Sequence, residues 1–230
     1  MGAKMNIKDE VTDKYSLRGR VYSKIRADIL EGRYKNNDEL RELAIGEELG
    51  VSRTPVREAF RQLELEGLIR IVPNKGAYVT GITAKDVKDI YMIRSKLEGL
   101  AARWAVDNIT NEQMEEIEEN IYLSEFHGAK GHSDQIAELD NRFHEILYEA
   151  CNSKLLENQL REYHEYVQRV RRKTLSENHR SLASTNEHRK IMEAIKSGDK
   201  DLAEETATNH IKNAYSNIVA NGLKESYPEE

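Results

Sequence analysis

The chain has 230 residues, 38% hydrophobic and 33% charged, with one cysteine and a formal net charge of −6 at pH 7. That length can bury a real core as one large domain or two modest ones. The composition excludes a membrane span, since no apolar run approaches the roughly 20 residues one needs, and a lone Cys151 excludes an internal disulfide framework.

The N-terminal MGAKMNIKDE lacks the apolar stretch of an export signal, so a cytoplasmic protein is expected. Charge divides unevenly along the chain. Residues 1–82 hold 15 basic and 13 acidic side chains, a net of +2, while the other 148 hold 20 and 28, a net of −8. A difference in sign between two parts points to different tasks. Cys151 reads as a small buried hydrophobe.

In RGRVYSKIRADILE (18–31), Val21, Ile25, Ile29 and Leu30 recur at helical spacing, and Gly32 ends the run. A turn at 36–38 leads into a second helical run carrying Leu40, Leu43, Ile45 and Leu49, closed by Gly50. Ser52 is a suitable N-cap for a third helix, with Pro55 in its first turn, where a missing N–H costs least. Val56, Ala59, Phe60 and Leu63 form that helix's apolar face. LIRIV (68–72), the turn PNKG and the strand AYVT then read as a hairpin. Three helices and a hairpin within about 70 residues are the layout of a winged helix-turn-helix.

Beyond Thr83, a candidate N-cap, strand signals vanish. Helical periods cover about 83–107, 110–127, 133–151, 153–173, 178–197 and 199–219, with a frayed tail at ESYPEE. Six helices on short connections imply an antiparallel all-α bundle. The predicted protein is thus mostly α, with a DNA-binding domain over 14–82 and a helical domain over 83–222.

Arg53, Arg57 and Arg61 lie along one side of the third helix, opposite the apolar face. In a helix-turn-helix the exposed N-terminal part of that helix enters the major groove. Arginine suits the task, because its fork matches guanine O6 and N7 together, at about 1–3 kcal/mol of discrimination per good pair. Ser52, Thr54 and the free N–H groups of the first turn are placed to grip phosphate. Lys75 and Gly76 at the hairpin tip suit a wing, and Arg41, at the start of the preceding helix, adds a phosphate or base contact. The competing reading has these arginines solvating a face or pairing with Glu58 and Glu64.

The acidic half holds all seven histidines. Asp140 and His144 in LDNRFHEIL are an i, i+4 pair beside the packing residues Phe143, Ile146 and Leu147. His188 in EHRKIMEAI and His210 in TNHIKNA lie beside apolar positions of two further helices. Three helices thus each aim a lone pair inward, a set that suits a divalent cation. Taken singly, each such histidine is more often an ordinary core or surface residue. His127, His132, His164 and His179 fall near breaks or among charges and read as surface residues.

The segments ELRELAIGEELGVSRTPVREAFRQLELEGLI and PNKGAYV, within about 17–81, closely resemble the DNA-binding domain of the GntR family of bacterial regulators. Phe60 stands where a leucine is usual, a core-facing change. The resemblance implies a dimer on a palindromic operator, with Arg53 and Arg57 as principal contacts and Gly76 in the wing. Residues 85–219, with IRSKLEGLAARWA, DNRFHEIL, EHRKIMEAIKSGD and a late NHI, resemble the FCD effector domain of the FadR subfamily. It implies that Asp140, His144, His188 and His210 hold a metal, zinc or nickel, beneath a cavity for a small carboxylate effector. Arg94, of R-x-x-x-E with Glu98, is implied as a cavity residue, a salt bridge between helices being the alternative. Six helices point toward the VanR-like branch.

The expected function is a ligand-responsive transcription regulator, a repressor, acting as a homodimer. One alternative is a regulator for which the metal itself is the signal. Another, from a different class, is a metallohydrolase using the Asp/His set. It is disfavoured because catalytic zinc keeps an open position and a nearby base. Glu145 and Glu187, adjacent in sequence to His144 and His188, are expected to point away.

Overall fold

A computed structural model describes residues 16–73, 75–175 and 178–221, except for the side chains of residue 169 and residues 172–179. His179, the turn residue Asn74 and the ESYPEE tail therefore lie outside what is described. The chain divides into two compact units between Ile82 and Thr83.

The first unit runs α1 (Leu17–Leu30), β1 (Glu39–Leu40), α2 (Glu42–Leu49), α3 (Arg53–Leu65), β2 (Ile69–Val72) and β3 (Gly76–Val79). Val21, Ile25 and Ile29 of α1 meet Val56, Ala59, Phe60 and Leu63 of α3 as the buried core. Phe60 is buried, as a core-facing substitution should be. Gly50 ends α2 at φ 67°, a left-handed conformation that costs glycine little, and so turns the chain into α3.

One sequence expectation fails here. Leu40 is not the first residue of the second helix but half of the short strand β1, which pairs antiparallel with β3. The hairpin thereby becomes a three-stranded sheet of order β1-β3-β2. The pairing buries Leu40, while Leu43 is 60% exposed. Satisfying the backbone of β3 on both sides outweighs one more turn of helix.

The second unit holds six described helices: α4 (Ala84–Asn108), α5 (Asn111–Lys130), α6 (Ser133–Ala150), α7 (Lys154–Leu175), α8 (Asn178–Lys196) and α9 (Lys200–Ala220). Thr83 and Asp86 form a reciprocal capping box at the start of α4, and Thr110 with Gln113 repeats the device at α5. Each cap satisfies backbone donors that a helix start leaves orphaned. The apolar core joins Ala101, Ala102 and Ala105 of α4 to Ile117 and Ile121, Phe143, Ile146 and Leu147, Ile191 and Ile195, and Ala203 and Ala207. Cys151 is buried among them. No described helix is long and apolar enough to cross a membrane.

Gly99 of α4 lies directly against α9. A Cβ there would run into the Thr208 hydroxyl and come within 3.0 Å of the Glu204 carbonyl oxygen. Gly99→Ala is therefore expected to cost about 1–3 kcal/mol, the usual range for overpacking. Urea unfolding followed by the fluorescence of Trp104, the single tryptophan and a residue of α4, checks this. An unchanged midpoint is incompatible with so close a packing of the two helices.

Candidate nucleic-acid interface and metal centre

In α3 the buried face fixes what the other side presents. Ser52, Arg53, Thr54 and Arg57 are all exposed at its N-terminal end. Ser52 holds the N-cap position but makes no side-chain capping bond, so its hydroxyl is not committed to the helix. The arginines do not pair with Glu58 or Glu64. Both instead reach Glu42, the first residue of α2. Arg41 precedes α2 and pairs with Glu39 of β1 (2.8 Å). Lys75 and Gly76 are exposed at the β2–β3 turn, with Gly76 at φ 108°, where a larger residue would be strained.

The second unit gathers its charged and imidazole groups at buried positions. His144 of α6, His188 of α8 and His210 of α9 each offer a ring nitrogen, and these lie within 4.8 Å of one another. Two carboxylates orient two of the rings. His144 Nδ1 lies 2.7 Å from Glu98 Oε2, and His210 Nδ1 lies 2.7 Å from Glu187 Oε2. With Nδ1–H donating outward, each Nε2 turns its lone pair inward, and these two atoms stand 3.3 Å apart. His188 is fixed differently, its ring stacked on Phe143 at 3.8 Å between centroids. Its buried Nε2 has no hydrogen-bond partner among the described residues.

Asp140 stands at the edge of this cluster. Its Oδ1 accepts from the Ser184 hydroxyl (3.1 Å) and lies 3.6 Å from His188 Nε2, while Oδ2 is held by Arg171. These residues fit a divalent cation. Two opposed lone pairs and an orphaned third nitrogen are costly in a dry site unless a cation lies between them. Nitrogens bound to tetrahedral zinc at about 2.0–2.1 Å fall about 3.3–3.4 Å apart.

Electrostatics agree with neutral imidazoles at His144 and His188 and with ionised carboxylates at Asp140 and Glu187. Burial pushes His144 down to about 4 against the pull of Glu98. Burial and the neighbouring rings hold His188 well below its ordinary value. For Asp140, burial works to raise the carboxyl, but the adjacent Arg171 guanidinium outweighs it and holds it low. Glu187 is likewise held at about 2, with His210 and Arg180 overcoming its burial.

Arg94 realises both sequence alternatives at once, with one correction. It forms a buried ion pair with Glu98 (2.6 Å) one turn along the same helix, rather than between helices. It also lines a small cavity with Tyr91, Asp140, His144, Arg171 and His210. Arg94 Nη1 and Tyr91 Oη are buried without a hydrogen-bond partner among the described residues.

Two further readings are corrected. His164 is not a surface residue: it is buried, 2.9 Å from Asn141 Oδ1 and beside Arg171. Glu187 does not point away from the cluster but backs His210 from the next helix. His132 is exposed and His127 is half-buried, and their Nδ1 atoms pair at 2.9 Å.

A helix-turn-helix with a basic reading edge, joined to a bundle with a polar internal site, defines the class of DNA-binding transcription regulators. Residues 17–79 match the family described as bacterial regulatory proteins, gntR family, and residues 89–213 match the FCD domain. The chain belongs to the GntR family, in its FadR-like FCD subfamily. The uncharacterized HTH-type transcriptional regulator YdhC of Bacillus subtilis is 32% identical over 82% of this chain and 85% of its own. The HTH-type transcriptional repressor RspR of Escherichia coli is 28% identical over 90% and 91%. Among solved structures, E. coli McbR/YncC shares the fold with a TM-score of 0.70 at 20% identity, over 90% of this chain and 99% of the other. The family and these relatives are transcription regulators and not enzymes, which sets aside the hydrolase alternative.

Proposed function

We propose that this regulator is a repressor whose second unit carries a divalent metal, zinc or nickel, and releases operator DNA when a small carboxylate binds beside that metal. The observation that carries this reading is the convergence of the His144, His188 and His210 nitrogens, two of them backed by Glu98 and Glu187. His144, His188 and His210 would hold the ion, with Asp140 as the anionic fourth member. A bound metal would supply a Lewis-acidic point for a carboxylate oxygen. Arg94 would meet the same anion through its uncommitted Nη1.

The protein acts as a homodimer on a palindromic operator, with Arg41, Arg53, Arg57, Ser52, Thr54, Lys75 and Gly76 touching the DNA. A repressor among the relatives supports the sign of regulation. Effector and operator are then coupled through their differing affinities for two arrangements of the dimer, a coupling typically of about 5–150-fold.

Elemental analysis should find about one metal per chain, and His188→Ala should strip it while circular dichroism keeps its helical signature. A panel of sugar acids and central-metabolism carboxylates should then contain a compound that raises the operator dissociation constant of the metal-loaded protein. If every acid that binds leaves operator affinity unchanged, effector control is wrong. A strong operator response to added metal alone, without any acid, would instead make the metal the signal.

A further inference from the structure

Glu42 lies eleven and fifteen residues from the two arginines it binds, and it takes the same edge of each, Arg57 through both carboxylate oxygens and Arg53 through Oε2 alone. Arg57 donates to it from Nε (2.8 Å) and Nη2 (2.8 Å), and Arg53 donates from Nε (3.2 Å) and Nη2 (3.0 Å). A guanidinium has two forked edges, one of Nε and Nη2 and the other of Nη1 and Nη2. In both arginines the carboxylate takes the first edge, and no described residue takes Nη1. The outer edge is the one left to face a base. Glu42 is largely shielded, with 23% of its side chain exposed, while the arginines are 61% and 52% exposed. The Arg57 hydrogen bond, with that of Arg53 and against the opposing effect of burial, holds the carboxyl below its usual range.

We propose that Glu42 is the positioning residue of the DNA-reading head: it buttresses the inner edges of Arg53 and Arg57 so that their outer edges meet guanines in a fixed register. This rests on the reading of Arg53 and Arg57 as base contacts. Two physical consequences follow from one carboxylate. Side chains that swing freely lose rotamer entropy on binding, and the buttress removes that cost only where the bases match the fixed geometry. The negative charge also repels phosphates, which weakens sequence-independent binding. Glu42 therefore trades general DNA affinity for discrimination.

The test uses the full-length protein and a library of randomised duplexes, sequenced before and after binding. Fluorescence anisotropy then gives dissociation constants for the most enriched duplex and for a shuffled duplex of equal composition. Glu42→Gln removes the charge and one acceptor at constant shape. It should bind the shuffled duplex severalfold more tightly, with a salt slope steeper by about one. It should bind the enriched duplex about tenfold more weakly. Guanine preference should fade only at the positions that Arg53 and Arg57 read, a pattern that a general loss of folding would not give. Glu42→Asp keeps the charge but is one methylene short. It should lose operator affinity without gaining affinity for the shuffled duplex.

A ratio of the two affinities unchanged within about twofold in Glu42→Gln overturns the proposal. So does an equal gain on both duplexes, which would make Glu42 only an electrostatic brake. Arg57→Ala separates the two levels: if it keeps the wild-type base preference, the assignment of Arg57 to DNA fails. If it loses that preference while Glu42→Gln retains it, only the buttress is wrong.

Discussion

Glu98→Ala is expected to cost the helical unit about 3–5 kcal/mol, enough to threaten its fold. The carboxylate is almost wholly buried and accepts from four donors. Oε1 takes Arg94 Nε (3.0 Å), Arg94 Nη2 (2.6 Å) and the Tyr148 hydroxyl (2.9 Å), and Oε2 faces His144 Nδ1. Removing it strands a guanidinium at a site of zero exposure, beside an Nη1 that already lacks a partner. The stranded charge, more than the lost bonds, sets the size of the effect. The double variant Arg94→Met with Glu98→Leu should accordingly recover most of the loss, since replacing a buried ion pair by apolar groups is often near neutral. Urea titrations of Arg94→Met, Glu98→Leu and their combination, read through Trp104, form a double-mutant cycle. A single-variant loss below about 1 kcal/mol would show that Glu98 does not neutralise Arg94 in solution. Glu98→Gln adds a functional reading: it keeps the shape but weakens the orientation of His144, and metal affinity should fall about 10–100-fold.

What could be read from the sequence follows from how local each feature is. The apolar face of α3 and its opposing arginines recur at helical spacing within a dozen residues, so periodicity alone placed them. Thr83 as a cap is equally local. Strand β1 was hidden because two residues carry no period, and Leu40 fits a helical pattern as well as a strand. Glu42 was hidden because its arginines come from the next helix, and nothing in an i, i+4 survey pairs residues eleven or fifteen apart. His164 and Glu187 failed for the same reason, each meeting its partners across a helix interface. Glu187 precedes its neighbour His188 by one residue, about 100° around α8, and that rotation directs it to His210 of α9 rather than to solvent. The resemblance to the FCD domain could name Asp140, His144, His188 and His210 because all four implied positions carry side chains of ligand type. It could not supply the carboxylates behind two of those rings, which decide where the lone pairs point.

Those neutral rings also fix how the protein should respond to acid. In an unfolded chain an imidazole takes up its proton near 6.5, whereas His144 in the fold resists until about 4. Between these values the unfolded state binds more protons than the folded one, so stability is complete above 6.5 and falls as the pH drops through the window. For His144 alone this amounts to about 3 kcal/mol at the lower end. His188 and His164, both held low by burial, add losses of the same sign. The carboxylates act one step lower. Glu187 titrates near 4.5 unfolded and about 2 folded, so its contribution is present above 4.5 and disappears only below it. Metal-stripped protein should therefore lose stability steeply between pH 6.5 and 4.5, before Glu187 has begun to protonate in the fold. Urea midpoints at pH 7.5, 6.5, 5.5 and 4.5 would trace about one proton or more taken up on unfolding. His144→Gln, which cannot titrate, should flatten that slope by about one proton whatever it does to stability at pH 7.5. A midpoint constant from pH 7.5 to 4.5 would mean that these rings are protonated or solvated in the fold. They would then lack the inward lone pairs on which the proposed metal centre depends.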